Sequence, residues 1–179
     1  MKLYLIRHGK TEANEKRLYC GSTDLPLSEA GREALKLLHY DIQNVRFLTS
    51  GMKRANETLN ILFGDVLWEE EPGFREVDFG MFEMHSYEEL KDLPAYQAWI
   101  SGDNEANIPP EGESGAQMKR RVLEAFSALR EDTVLICHGG VIAALMEHLF
   151  PEEQKSRYAW QPPNGHGYAI ENGRYRCIP

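Results

Sequence analysis

The chain has 179 residues, of which 42% are hydrophobic and 27% are charged, which is typical of a soluble globular protein. Its formal net charge of −8 argues against a general nucleic-acid-binding protein, because such proteins usually carry a basic surface. No window approaches the length of a membrane span, and Arg7 interrupts the first apolar run too early for a signal peptide. Its three cysteines are too few, and odd in number, for a disulfide framework. We therefore expect one cytoplasmic domain over residues 1–179, with neither nucleic acid nor membrane as a partner.

The N-terminal half alternates predicted strands with predicted helices. A short apolar run over residues 3–6 predicts a buried strand, and residues 15–26 form a loop. Ser28 can cap a helix that extends to Leu38. Residues 45–49 predict a second strand, and Ser50 is expected to cap the next helix, which runs to residue 62. A short strand follows over residues 65–70; its last two residues and Glu71 form an acidic run that is typical of a solvated turn.

The C-terminal half repeats this alternation after a long irregular segment. Residues 74–82 are irregular, residues 86–100 are helical with a break near Pro94, and residues 101–113 form a loop rich in Gly, Pro and Asn. We expect the span at about 82–115 to be a lid-like insertion. Ser114 to Gln117 is a capping box that opens a helix with an apolar face reaching residue 129. A strand over 134–136, a helix over 141–150 and two weak strands, 168–170 and 175–178, complete the chain.

This alternation predicts a mainly parallel sheet with helices on both faces. Two of the predicted strands end in histidine and glycine: the first in Arg7-His8-Gly9, and a later one in His138-Gly139-Gly140. In an open α/β sheet, ligands bind at the carboxyl ends of the strands. If both strands are central, their two histidines and Arg7 meet in one crevice.

These residues suit the chemistry of phosphoryl transfer. A neutral His8 could attack phosphorus, and neighbouring cations would depress its pKa and keep it neutral. His138 could stabilise negative charge at the start of a helix. Arg7 and Arg54 together form a clamp for phosphoryl oxygens. A helix N-terminus disfavours a positive side chain such as Arg54, and a bound anion would remove this mismatch.

The general acid has two candidates, Glu76 and Asp78, and the residues alone do not decide between them. Apolar neighbours at positions 77, 79 and 82 would raise the pKa of the Glu76 carboxyl toward that of a general acid. The two arginines and His138 would supply the positive charge that a metal supplies in other phosphotransferases. The chain contains no Cys-x-x-Cys or His-Glu-x-x-His pattern, so we expect neither a metal nor a cofactor.

Over nearly its whole length the chain resembles the histidine phosphatase superfamily, also called phosphoglycerate mutase-like. The segments that carry the resemblance are Arg7-His8-Gly9 with Thr11 and Asn14, Cys20-Gly21 with Leu27-Ser28 and Gly31, Ser50 with Arg54-Ala55 and Thr58, Glu76 with Phe79-Gly80, and His138-Gly139. The resemblance implies a three-layer α/β/α sandwich. It also implies that His8 is the phosphorylated nucleophile and that Glu76 rather than Asp78 is the proton donor. Arg7, Arg54 and His138 would bind the phosphoryl group, assisted by Asn14 and the Gly139 N–H.

One departure narrows the resemblance. Many members have Trp-Glu-Gly after the donor segment, whereas this chain has Phe82-Glu83-Met84-His85. That variant, together with Leu18-Tyr19 and the stretch from Trp99 to Ser114, is most similar to the alpha-ribazole phosphatase branch of cobalamin synthesis. On this reading Cys20, Gly21 and His85 are candidate substrate-binding residues, and Glu83 is a candidate support for the site.

Three functions remain open from the sequence. The first is a phosphomonoesterase acting on a small phosphorylated metabolite, with alpha-ribazole 5′-phosphate as one candidate. The second is a cofactor-dependent phosphoglycerate mutase, which would need extra cations in the lid; between His85 and Met118 the chain offers only Lys91. The third is a non-catalytic module that binds a phosphorylated ligand. The cation-poor lid favours the phosphatase.

Overall fold

The computed structural model describes residues 1–103 and 105–179. Within them the strands are β1 (Leu3–Arg7), β2 (Arg46–Thr49), β3 (Glu69–Glu70), β4 (Thr133–Cys137), β5 (Gly167–Glu171) and β6 (Arg174–Ile178). These six strands form one sheet in the order β3-β2-β4-β1-β5-β6. Strands β3, β2, β4 and β1 are mutually parallel. Strand β5 is antiparallel to β1, and β6 is antiparallel to β5. The sheet is therefore mainly parallel, as predicted.

Helices cover both faces of this sheet. They are α1 (Glu12–Glu15), α2 (Glu29–Lys36), α3 (Lys53–Phe63), α4 (Tyr87–Leu90), α5 (Pro94–Ile100), α6 (Gly115–Ser127) and α7 (Gly139–Leu149). Because side chains alternate along a strand, Leu5 and Leu135 face α6 and α7, whereas Ile6 and Val134 face α3. The fold is thus a three-layer α/β/α sandwich of the phosphoglycerate mutase type. No helix in the described part of the chain is both long and apolar enough to cross a membrane.

Two central strands bring the predicted crevice together. Strands β1 and β4 are neighbours, and their register pairs Arg7 with Cys137. The His8 N–H then donates to the Cys137 carbonyl at 2.9 Å, so His8 and His138 leave the sheet side by side. Both histidines therefore stand at the carboxyl edge of the sheet, where a ligand site was expected.

Several element boundaries differ from the sequence prediction. The third strand is only Glu69–Glu70, so two residues of the predicted acidic turn pair with β2 instead. Ser50 does not cap α3; the cap position is Met52, and Ser50 lies under His138. The break predicted near Pro94 is confirmed, since residues 91–93 separate α4 from α5. Helix α1 was not predicted; it begins in a capping box made by Thr11 and Asn14.

Candidate active site

His8 is held as a neutral imidazole with a defined tautomer. It is 5% exposed, and its Nδ1 lies 2.6 Å from the Gly9 carbonyl. Since a carbonyl oxygen only accepts, Nδ1 carries the proton and Nε2 keeps its lone pair. Burial, followed by Arg54, holds the pKa of His8 well below its ordinary value, while the hydrogen bond to Gly9 and the nearby Arg7 have smaller effects. Nε2 is therefore an unprotonated nitrogen, as a nucleophile requires.

His138 lies against His8, with ring centroids 5.2 Å apart. It is the residue that precedes α7, and its side chain is fully buried. Its Nε2 and the buried Ser50 hydroxyl share a hydrogen bond of 2.8 Å, whereas its Nδ1 has no partner among the described residues. Burial first, and then Arg54, lowers the pKa of His138 well below its ordinary value. Ser50 thus fixes the orientation of the second histidine.

Two guanidinium groups provide the charge of the site. Arg54 is 1% exposed, and it donates to the Thr23 and Gly21 carbonyls at 2.9 and 2.8 Å. Arg7 donates to the Pro162 carbonyl at 2.9 Å, and its Nε is buried without a partner in the described part of the chain. Burial lowers the pKa of Arg7, but an arginine stays cationic in proteins. Carbonyls satisfy only some of these N–H groups, so both arginines can also bind an anion.

The Glu76 carboxyl reaches the start of α7. The Gly140 N–H donates to its Oε2 at 2.9 Å, and the Val77 N–H donates to its Oε1 at 3.0 Å. A side chain at Gly140 would begin only 2.4 Å from Glu76 Oε1, so glycine is what allows this approach. Asp78 is engaged elsewhere: its Oδ1 accepts from the Ser22 hydroxyl and from the Gly80 N–H, both at 2.8 Å. Glu76, and not Asp78, therefore lines the cavity beside Arg7.

Glu83 organises the loop that holds Arg54. Its carboxylate accepts from the Gly21, Ser22 and Thr23 N–H groups, from the Thr23 hydroxyl and from the Phe79 N–H, at 2.7 to 3.3 Å. Gly21 has no room for a side chain, since a Cβ would stand 1.6 Å from the Val77 carbonyl oxygen. Glu83 therefore fixes the two carbonyls that orient the Arg54 guanidinium.

A cavity of about 300 Å³ is lined by Arg7 and Glu76 of this set. Tyr19, Phe79 and Trp99 form an aromatic wall, with ring centroids 5.1 to 6.0 Å apart. Arg157 also lines the cavity, and it forms an ion pair with Glu105, which precedes α6. One wall of the cavity is thus aromatic, and the Nε and Nη2 of Arg157 are buried there without a partner in the described part of the chain.

The remaining predicted site residues fall into three groups. Asn14 and Cys20 line the cavity, and burial, as the largest effect, raises the pKa of the Cys20 thiol. Gly21 and Gly139 lie next to the arginines. The Gly21 carbonyl accepts a hydrogen bond from Arg54, and a Cβ at Gly139 would lie 3.3 Å from Arg7 Cζ. The structure does not bring His85 into the site, because its ring is exposed and bonds to the Glu83 carbonyl outside the cavity.

Sequence reasoning missed contributors from the C-terminal third. The Asn164 side chain donates to the His8 carbonyl at 2.9 Å, and Gln161 and Arg157 line the cavity. Arg121 bonds to the carbonyl of Glu76 at 2.9 Å. The Pro162-Pro163-Asn164-Gly165 stretch is a recognisable turn, so the loop could have been found, but nothing local marks Arg121 or Arg157 as different from a surface arginine.

The arrangement can bind a phosphoryl group between two arginines and two neutral histidines. Among the residues that the structure describes, no cluster of three or more His, Cys, Asp or Glu side chains is placed to hold a metal ion. Arginine forks match the geometry of phosphate oxygens, and the buried setting strengthens such contacts. The Glu76 carboxyl lines the same cavity as Arg7.

The fold and this set of residues define a class of protein. The chain belongs to the histidine phosphatase superfamily (branch 1), whose family model matches residues 3–177. It is a phosphatase or a mutase of that family, and its substrate is a small phosphorylated molecule.

Among individual proteins, the chain is similar to the adenosylcobalamin/alpha-ribazole phosphatase of Salmonella typhimurium, at 32% identity over 96% of this chain and 90% of that one. It is also 28% identical to a probable phosphoglycerate mutase of Yersinia pestis, over 83% of this chain and 74% of that one. Among solved structures, an Escherichia coli protein provisionally assigned as an alpha-ribazole-5′-P phosphatase superimposes with a TM-score of 0.84, at 27% identity, covering 99% of this chain and 94% of that one. A phosphoglycerate mutase from Thermus thermophilus gives a TM-score of 0.79 at 28% identity, covering 100% of this chain and 97% of that one.

Proposed function

We propose that the chain is a phosphomonoesterase that forms a phosphohistidine on His8. The observation that carries the proposal is the hydrogen bond from His8 Nδ1–H to the Gly9 carbonyl at 2.6 Å, which leaves the Nε2 lone pair free beside Arg7, Arg54 and His138. A nitrogen held in this way is a nucleophile that needs no general base. Arg7, Arg54 and His138 then stabilise the negative charge that develops on the phosphoryl oxygens.

The reaction has two steps. In the first, His8 Nε2 forms a bond to phosphorus while the ester P–O bond breaks, and Glu76 gives its proton to the departing alcohol oxygen. In the second, Glu76 takes a proton from water, whose oxygen bonds to phosphorus as the Nε2–P bond breaks and inorganic phosphate leaves. Arg7, Arg54 and His138 hold the three equatorial oxygens in both steps, and Asn14 and the Gly139 N–H assist. The guanidinium groups supply the positive charge, so turnover is expected to survive a metal chelator.

The aromatic residues of the cavity support a ring-bearing alcohol as the leaving group. Lys91, the one cation that the sequence offered for the lid, is paired with Glu88 on the surface. Arg157 is a further cation on the cavity lining: one of its nitrogens pairs with Glu105, and its Nε and Nη2 are buried without a partner in the described part of the chain. The aromatic wall of Tyr19, Phe79 and Trp99 suits a ring-bearing group such as a nucleoside base. Together with the similarity to alpha-ribazole phosphatases, this makes alpha-ribazole 5′-phosphate the first substrate to test.

The experiment is a phosphate-release screen over sugar phosphates, nucleoside monophosphates and alpha-ribazole 5′-phosphate, with His8→Ala as the control. We expect release to require His8 and to be fastest for a ring-bearing ester. A mutase would instead interconvert 2- and 3-phosphoglycerate faster than it releases phosphate, which would contradict the proposal. Undiminished turnover by His8→Ala would reject the mechanism, and no turnover of any ester would favour a non-catalytic binding module.

A further inference from the structure

The backbone that carries Glu76 has little regular structure of its own. A short 3-10 turn, Pro72–Phe74, precedes it, and residues 75–79 belong to no helix or strand. Carbonyl groups in such a segment have no ladder or helix to satisfy them and need other donors. The Glu76 carboxyl is fixed by the Gly140 N–H of α7, but that contact restrains only the tip of the side chain.

Arg121 of helix α6 supplies those donors. Its Nη1 donates to the carbonyls of Gly73 and Arg75, at 3.0 and 2.7 Å, and its Nη2 donates to the carbonyl of Glu76 at 2.9 Å. Its Nε donates to Glu113 Oε2 at 3.2 Å, and Nη2 also contacts Glu113 Oε1. The five N–H groups of the guanidinium therefore match five acceptors, three of which are carbonyls of the segment before and at Glu76.

Glu113 extends the same restraint beyond Glu76. Its Oε1 accepts from the Asp78 N–H at 3.3 Å, and its own N–H donates to the Asp78 carbonyl at 2.9 Å. The Arg121–Glu113 pair is partly buried, with side chains 29% and 22% exposed, so water screens it less than a surface ion pair. The segment from Gly73 to Asp78 is thus held on both sides of Glu76 by one arginine and its acidic partner.

From this we infer that Arg121 is a positioning residue for acid catalysis: it fixes the backbone at Glu76 so that the carboxyl stays at the leaving oxygen. The inference rests on the proposed function, in which Glu76 protonates the departing alcohol. Arg121 acts through Glu76, since its hydrogen bonds within the described part of the chain go to this segment and to Glu113, not to the phosphate clamp. A misplacement of the carboxyl of about 1 Å can cost about 100-fold in rate, whereas the phosphate clamp would stay in place.

The test compares two esters that differ in their need for an acid. The p-nitrophenolate ion leaves without a proton, whereas the benzyl alkoxide of benzyl phosphate needs one. We expect Arg121→Met to lower kcat/KM for benzyl phosphate by about 30- to 100-fold and for p-nitrophenyl phosphate by less than about 3-fold. Arg121→Lys keeps the charge but loses the planar fork, so an intermediate, equally selective loss is expected. Arg120→Met, at an exposed position on the same helix, is the matched control and should change neither value.

Two further measurements separate this inference from general damage and from the proposed function. Inhibition by inorganic phosphate should be unchanged in Arg121→Lys, because lysine keeps the positive charge that acts on His138, and the hydrogen bonds of Arg121 do not reach the clamp. The Arg121→Lys variant also allows the test if Arg121→Met fails to fold. Glu76→Gln should also lower kcat/KM more for benzyl phosphate than for p-nitrophenyl phosphate, and the difference should be larger than in the Arg121 variants. If Glu76→Gln is selective and the Arg121 variants slow both esters equally, or neither, the positioning role is wrong. If Glu76→Gln itself is unselective, the acid role of Glu76 fails and the inference falls with it.

Discussion

The contact between Gly140 and Glu76 can be tested by adding one methyl group. A Cβ at position 140 would lie 2.4 Å from Glu76 Oε1, 3.2 Å from its Cδ and 3.3 Å from its Oε2. An ordinary carbon–oxygen contact is about 3.4 Å, so in Gly140→Ala the carboxyl must retreat by about 1 Å. The bond from the Gly140 N–H to Oε2, 2.9 Å long, is then lost or lengthened.

We expect Gly140→Ala to separate activity from stability. A displacement of about 1 Å costs about 10- to 100-fold in kcat/KM for an ester with a poor leaving group. Alanine is a better helix former than glycine by about 1 kcal/mol, and position 140 lies in the first turn of α7. The gain in helix propensity offsets the steric cost, so the Tm should stay within a few degrees of the wild-type value.

The assay is kcat/KM on benzyl phosphate together with a thermal melt, for Gly140→Ala in the wild-type and the Glu76→Gln backgrounds. Two changes that act on one group are not additive, so the second substitution should cost little once the acid is gone. Full activity of Gly140→Ala would refute the reasoning. So would a loss that is as large in the Glu76→Gln background as in the wild type.

Three further predictions concern the buried polar groups. The pKa values of His8 and His138 are lowered in the folded state, so the unfolded chain takes up protons first as the pH falls below about 6.5. The free energy of unfolding should therefore decrease as the pH falls below that value. Urea titrations at pH 7.5 and 5.5 would measure this decrease. Ser50→Ala leaves the buried Nε2 of His138 without its partner and should cost about 1–3 kcal/mol of stability, measured by the same titrations. Glu83→Gln places an amide N–H₂ against backbone donors, so it should lower the free energy of unfolding by about 1.5–3 kcal/mol, measured in a melt. The same substitution should raise the KM, measured in a kinetic assay.

Each of these has its own control. Replacing His138 by Asn should make the pH dependence of stability less steep, and an unchanged slope would mean that His138 does not contribute to it. Ser50→Thr keeps a hydroxyl and should retain more of the stability than Ser50→Ala does. Glu88→Gln removes an exposed ion pair with Lys91 and should cost less than about 1 kcal/mol. A Glu83→Gln variant no less stable than Glu88→Gln would contradict the role assigned to that carboxylate.

The sequence predicted the layers of the fold and the two strands that carry the histidines, because both depend on local patterns. The apolar run before Arg7 and the one before His138 mark buried strands, and parallel strands direct their carboxyl ends to one edge. Arg54 was also predictable, since a cation at the start of a helix needs an anion to balance it.

The supporting groups were not predictable, because their partners are distant in the chain. Ser50 looks like a helix cap locally, but its hydroxyl is taken by His138, which is 88 residues away. Arg121 looks like a polar residue on the outer face of an amphipathic helix, and only the fold shows that three carbonyls some 45 residues earlier converge on it. His85 shows the opposite case: it is close in sequence to Glu83, but its ring is exposed and lies outside the cavity.

The central claim, that His8 carries the phosphoryl group, is tested most directly by trapping. Protein mixed with a ³²P-labelled ester for milliseconds and quenched in base should retain label in a linkage that is stable to alkali and labile to acid, and peptide mapping should place it on His8. Glu76→Gln should accumulate more of this species with p-nitrophenyl phosphate, because the second step lacks its base. Active protein that never retains label on His8, or a His8→Ala variant that labels as well as the wild type, would contradict the account.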